Sequence, residues 1–338
     1  MSSTFSPPYQ NDSKCASNDQ MLLQTSILLR LNVIFMSVVA ILTFILTYKA
    51  LVVLFERQIF HKSTKVLLCT SLMFVNVHEI IYMFIQIVAF VRSFTLFDEP
   101  CEIMRTTLEC KLQNHILIFG IAGINSIQFA LSIERLLATI IPQPYSKCGY
   151  VPGILLSLIV ISSSIAAPLI IAIGDPYNDF VPNCFFFPQY SAPRANVFLI
   201  VLSIIVIISV FLNIIIIYVN KKLESSARFY VSQRYQKREA VISTRVVSYI
   251  AFAQFLGLSF YSVIVLTLRL HKSFIPVSMY HNLVWWAYTV PFAAVSLPAL
   301  LIHRIRQVGN NRKRVINKIT TKVETQEEHM KSLKDLWS

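Results

Sequence analysis

Seven apolar runs of roughly bilayer-crossing length dominate this sequence. They cover residues 31–54, 66–91, 114–140, 152–174, 196–219, 246–268 and 283–303. In lipid, every backbone N–H and C=O must be bonded within the protein, so a run of about 20 apolar residues is stable there as a helix. The expected fold class is an all-α membrane protein, a seven-transmembrane-helix bundle over residues 31–303. A tail of residues 1–30 precedes it and a tail of residues 304–338 follows it. Only 14% of the 338 residues are charged and 55% are apolar. A soluble domain carries about a quarter charged residues, and the connections here are too short for a separate soluble domain. No internal repeat is visible, which argues against a transporter built from duplicated halves.

Basic residues orient the bundle. The N-terminal tail and the second, fourth and sixth connections hold 8 of the 30 Lys/Arg. The first, third and fifth connections and the C-terminal tail hold 22, counting Lys49 and Arg135 at the helix ends nearest them. Cytoplasmic segments carry the basic excess, which places the N-terminus outside and the C-terminus in the cytoplasm. The only Asn-x-Ser/Thr sequon, Asn11-Asp12-Ser13, falls in the tail placed outside, so Asn11 is a candidate glycosylation site. The net charge of +13 belongs to helix edges facing anionic lipid and not to a nucleic-acid surface. Residues 1–20 lack a basic segment followed by an apolar one, so the first helix is expected to serve as its own insertion signal. Cys15, Cys101, Cys110 and Cys184 fall outside on this orientation, which allows two bridges in three connectivities. Cys69 lies within the second helix and Cys148 in the second cytoplasmic connection.

Polar residues within the runs are candidates for function. Glu79, beside His78, is a carboxylate near mid-membrane, where an unpaired charge costs about 2.5–3.5 kcal/mol. It is expected to face the bundle, either as a ligand or switch partner or as a protonated, hydrogen-bonded structural group. Asn125, Gln128 and Gln254 read as interhelical hydrogen-bonding residues. Trp285, Trp286 and Tyr288 fit an interfacial aromatic belt or a pocket lining. The candidate ligand pocket is drawn from His78, Glu79, His115 and Phe119, with Gln254, Tyr261, Trp285 and Tyr288. The outer loop of residues 175–195 carries an apolar stretch from Cys184 to Pro188, expected to fold over the mouth of the bundle. Residues 234–239 are helix-compatible and extend the sixth helix inward, and Gly309-Asn310-Asn311 is expected to interrupt the tail.

Other classes find little support. The seven His form no HExxH or HxxxH pattern, so no enzyme, metal or cofactor is expected. The last run has no Lys for a retinal Schiff base. Charged residues within the spans are few, chiefly Glu79 and Lys49, so no ion path is evident. A seven-helix ligand-gated channel or transporter is the alternative reading.

Glu134-Arg135 closes the third run at its cytoplasmic end, followed by Pro142 and Tyr145. Taken alone, this is an interfacial ion pair at a helix end. Cys110 lies 25 residues before Arg135, at the outer start of the same helix, and Cys184 lies in the next outer loop. Together these resemble the layout of G-protein-coupled receptors. The stretches Lys14-Cys15-Ala16-Ser17, Phe60-His61-Lys62-Ser63-Thr64-Lys65, Glu134-Arg135-Leu136-Leu137-Ala138-Thr139 and Arg234-Tyr235-Gln236 narrow the likeness. They resemble nematode serpentine chemoreceptors of class alpha, whose sister class alpha-beta is similar. The resemblance implies a multi-pass plasma-membrane receptor in sensory neurons and their cilia. Its partners would be a small-molecule ligand, the lipid bilayer and a heterotrimeric G protein. It further implies a Cys110–Cys184 bridge, with Cys15–Cys101 as the second candidate pair. The G-protein face would comprise Glu134, Arg135, Lys237, Arg238 and Arg245. The chain departs from rhodopsin-like receptors: helix 2 has Asn76 and Glu79 without an Asp, and helix 7 has only Pro298 of its motif. Leu117 stands where amine receptors place an Asp, which disfavours an amine ligand.

Overall fold

The computed structural model describes residues 15–57, 59–96, 99–176, 179–185, 190–226, 231–271, 274–320 and 330. Asn11 lies outside the described residues. In chain order the elements are α1 (Asn18–Gln24), α2 (Ile27–Glu56), α3 (Lys62–Thr95), β1 (Arg105–Thr106), α4 (Thr107–Ile140) and α5 (Pro142–Lys147). They continue with α6 (Val151–Ile171), β2 (Phe180–Val181), α7 (Ala192–Ser226), α8 (Val231–Leu270), α9 (Val277–Trp286) and α10 (Val290–Thr320). Among the described residues, seven helical stretches are long and apolar enough to cross a membrane. They form the bundle, with almost no strand among the described residues.

Packing makes α4 the central element. Its membrane-length stretch is 72% buried, against 28% for those of α2 and α7. It lies against α3, α6 and α7, while α10 closes the ring against α2 and α8. Close approach needs small residues. A Cβ on Gly153 of α6 would stand 2.4 Å from the Ser63 carbonyl oxygen of α3, and one on Gly123 of α4 would enter the Phe74 ring. The Ser63 oxygen belongs to the backbone and cannot swing aside. Gly153→Ala is therefore expected to destabilise the folded protein by about 1–3 kcal/mol, read as earlier thermal unfolding in detergent. An unchanged transition would show that α3 and α6 separate at no cost.

Three element boundaries differ from the hydropathy reading. The third span starts at Thr107 and not at 114, because Thr106 caps the helix by accepting from the Glu109 N–H at 3.3 Å. The seventh run is broken at 287–289. Pro291 has no N–H to bond the Ala287 carbonyl as a continuous helix would require, so it sits in the first turn of a new helix that starts at Val290. The Thr289 hydroxyl instead donates to the Gly257 carbonyl of α8. Finally, α10 runs unbroken through Gly309 to Thr320, beyond the expected end at 303. A single glycine costs a helix only about 1 kcal/mol.

One end of the bundle is tied covalently. Cys15 is bonded to Cys101 and Cys110 to Cys184. The α3–α4 and α6–α7 connections pair there as an antiparallel ladder, Arg105 opposite Val181 and Thr106 opposite Phe180. The interhelical polar contacts differ from those expected. Asn125 donates to Ile121 of its own helix at 2.7 Å. Cross-helix bonds at other positions include Asn213 to Ser132 at 2.8 Å, Asn220 to Thr139 at 2.9 Å and Thr70 with Ser157 at 3.0 Å.

Candidate functional site

Two buried polar centres sit at opposite ends of the apolar core. At the end away from the disulfides, Arg135 reaches its neighbour Glu134 through Nε to Oε2 and Nη2 to Oε1, both 2.5 Å. Glu134 is fully buried and Arg135 is only 3% exposed. The pair is tied to three other helices. Arg135 Nη1 donates to Ser243 Oγ of α8 at 2.8 Å, and Nη2 donates to Thr64 Oγ1 of α3. Thr64 Oγ1 donates to Glu134 Oε1 at 3.0 Å, and the Tyr145 hydroxyl of α5 donates to the same oxygen. Burial, and the negative charge of Glu134 beside it, push the Tyr145 phenol above its ordinary value, which keeps it a donor. The His61 ring lies 4.8 Å from that of Tyr145.

A fully desolvated ion pair is tolerated only when its remaining donors and acceptors are met. Here they are met by side chains from α3, α5 and α8, so the pair clamps four helices. Sequence reasoning found Glu134 and Arg135 but missed the roles of Thr64, Tyr145 and Ser243. Thr64 and Tyr145 stood within quoted motifs, but Ser243 carried no signal. Arg245 is exposed on α8 and is not among the side chains that bond the clamp. Lys237 and Arg238 fall on α8, but their side chains lie outside the described residues.

Toward the disulfide end lies a buried aromatic box. His78 Nδ1 is 2.9 Å from Glu79 Oε1, and His78 Nε2 is 2.7 Å from the Tyr288 hydroxyl. The second carboxylate oxygen, Glu79 Oε2, is buried without a hydrogen bond among the described residues. Tyr288 sits at the centre, with Tyr82 at 4.9 Å, Tyr261 at 5.3 Å and Phe185 at 4.8 Å between ring centroids. Phe185 also stacks on Trp285 at 4.6 Å. It is the residue after Cys184, so the disulfide holds its loop where the ring fills the box. Leu117 is buried in the same cluster.

The structure thus brings together His78, Glu79, Tyr261, Trp285 and Tyr288 and separates the other pocket candidates. Gln254 is fully buried two turns from Tyr261 on α8, with neither amide atom bonded among the described residues. Phe119 faces the other core cluster, 5.1 Å from Phe74. His115 lines a cleft between α4, α6 and the start of α7. Trp285 and Tyr288 are buried, so an interfacial belt is left only to the exposed Trp286. Phe185 was missed because nothing in a loop sequence tells which ring turns inward. No group of acidic, His or Cys side chains suited to a metal ion occurs among the described residues.

Comparison with known proteins agrees with this architecture. The family description "Serpentine type 7TM GPCR chemoreceptor Sra" matches residues 10–337. Serpentine receptor class alpha-10 of Caenorhabditis briggsae is 74% identical, over 97% of this chain and 98% of its own length. Its namesake in Caenorhabditis elegans is 72% identical, over 98% and 99%. Serpentine receptor class alpha-1 of C. elegans is 35% identical, over 87% and 89%. With the match running nearly end to end and the seven helices in place, this chain belongs to the class alpha (Sra) family of serpentine seven-helix chemoreceptors.

Proposed function

We propose that the chain is a chemosensory receptor that binds a small molecule from outside the cell and activates a heterotrimeric G protein. The observation that carries this reading is the four-helix clamp on Arg135. A buried ion pair held by side chains from separate helices opens when one of those helices moves away, and the arrangement described above is the closed one. The closed one hides the guanidinium within the bundle. Opening requires α8 to give up the Ser243 contact, which exposes Arg135 to a partner on that face. Arg245, Lys237 and Arg238 along the same helix would add positive charge to the face. A ligand drives the change only by binding the open form more tightly than the closed one. The aromatic box is the receiving element, since it couples α3, α8 and the break before α10 to the disulfide-pinned loop.

The decisive experiment is a screen of small chemical cues against the receptor in a heterologous cell, with G-protein activation as the readout. A cue that signals through the wild type and fails with an Arg135 variant at equal surface level supports the reading. A ligand-gated current independent of G protein would replace it with a channel.

The proposed orientation is N-terminus outside and C-terminus in the cytoplasm, in the plasma membrane of a sensory neuron or its cilium. The basic-residue skew supports it. So do the disulfides, which lie at the end assigned to the oxidising side. Asn11 is expected to carry a glycan, removed by glycosidase with a shift in mobility. An epitope placed after Trp337 is expected to stain only after permeabilisation. Staining of intact cells would reverse the orientation and end the proposal for the clamp.

A further inference from the structure

At the clamp end of the bundle the starts of α3 and α6 come together at the outer surface. Gly153 of α6 lies against Ser63 of α3, and Thr70 meets Ser157 at 3.0 Å. The turn from α5 into α6 is closed by two backbone bonds, Cys148 N–H to the Tyr145 carbonyl at 3.1 Å and Val151 N–H to that of Cys148 at 3.2 Å. Lys147 and Tyr150 flank this turn, and both are exposed. The ammonium of Lys62, the first residue of α3, stands 5.3 Å from the centre of the Tyr150 ring. We propose that Lys62, Lys147 and Tyr150 form a headgroup site for an anionic phospholipid of the facing leaflet, with one acyl chain laid along α6.

Charge complementarity is the first support. Residues 55–65 and 141–151, the connections at this end, carry Arg57, Lys62, Lys65 and Lys147 against one acid, Glu56. Among the described residues neither Lys62 nor Lys147 enters an ion pair. The buried carboxylate nearby, Glu134, is already taken by Arg135. An ammonium has three donors and no acceptor, so two of them side by side favour phosphate oxygens. A zwitterionic lipid brings a cation of its own, which the pair repels.

Placement is the second support. The Tyr150 ring holds Lys62 within cation–π range, and an aromatic ring at a helix start belongs at headgroup depth. Directly after it Val151, Ile154, Leu155 and Leu158 are all exposed on α6. They recur at i, i+3, i+4 and i+7, which makes one apolar stripe leading from the lysines into the membrane. The site also borders the clamp. Lys62 lies two residues before Thr64 and Tyr150 five after Tyr145, and both of those hydroxyls bond Glu134. A lipid seated here steadies the elements that hold Glu134 and touches nothing on α8. The site rests on the membrane reading of the fold alone and needs neither a G protein nor one orientation.

The test uses the full-length receptor in phosphatidylcholine nanodiscs doped with phosphatidylglycerol that bears a diazirine on one acyl chain. Both leaflets have the same composition, so orientation does not affect the outcome. The label should concentrate on residues 151–158 relative to residues 197–208 of α7, whereas a phosphatidylcholine probe with the same chain should mark both alike. Unlabelled phosphatidylglycerol should displace it, and inorganic phosphate should not. Lys62→Gln and Lys147→Gln should each lower the enrichment about fivefold, the worth of one charge at an anionic surface. Arg306→Gln, which removes a charge from the exposed side of α10, should leave it unchanged. Equal losses from the Arg306 and lysine variants would show a diffuse surface potential and overturn the site. So would equal enrichment of the two probes, or displacement by phosphate. If a lysine variant does not fold, the two probes compared on the wild type still decide. Enrichment at residues 151–158 in a receptor that activates no G protein would uphold this site while sinking the proposed function.

Discussion

Replacing Arg135 with Ala is expected to abolish G-protein activation and also to lower the amount of folded receptor at the surface. The second effect follows from burial. Removing one partner of a buried ion pair strands the other, at a cost of about 3–5 kcal/mol. Glu134 would keep the Tyr145 and Thr64 hydroxyls, which offset part of that cost. An Arg135→Ala variant alone therefore confuses folding with coupling. Adding Glu134→Gln removes the stranded charge, so the double variant should recover much of the surface level and still fail to couple. Glu134→Gln alone weakens the clamp while leaving the guanidinium in place, and should raise basal activation. Basal and ligand-driven activation, measured at matched surface level, separates these outcomes. If the double variant couples normally, Arg135 is an internal tie between helices and the proposed switch is wrong.

Removal of the Cys110–Cys184 bridge with a pair of Ser substitutions is expected to have the second-largest effect. The bridge spans 74 residues, and its loss restores unfolded-state entropy worth about 4 kcal/mol. The Cys15–Cys101 bridge spans 86, so on chain entropy alone the two losses would be nearly equal. The structure separates them. Only Cys184 is followed by a ring packed on Trp285, Tyr288 and Tyr82. Freeing that loop should loosen the aromatic box as well, so the Cys110/Cys184 variant should unfold at the lower temperature and show altered tryptophan fluorescence. Equal destabilisation of the two variants would mean that Phe185 keeps its seat without the bridge. Peptide mapping under non-reducing conditions tests the pairing itself.

The seven spans were legible because a bilayer leaves the backbone one choice over a long apolar run, and hydropathy alone registers it. The basic-residue skew supports the proposed orientation on similar grounds, since it acts on connections one at a time and needs no tertiary contact. Helix ends were less legible. The Thr106 cap starts α4 seven residues before its apolar run, and the Pro291 step splits the last run, both within segments whose hydropathy does not change. What only the tertiary structure decided is which polar groups meet. Glu134 and Arg135 were visible as neighbours in sequence, but Thr64 lies 70 residues before Glu134 and Ser243 lies 108 after Arg135. Helix packing brings them together, and in the sequence they are two hydroxyls among many. The same holds for Phe185, an aromatic loop residue turned inward by a disulfide, and for His115, which packing sends to a cleft apart from the other pocket candidates. Solvent transfer acts on each segment by itself and so is written locally. Side-chain pairing across a bundle depends on the register and rotation of whole helices against each other, which no single segment specifies.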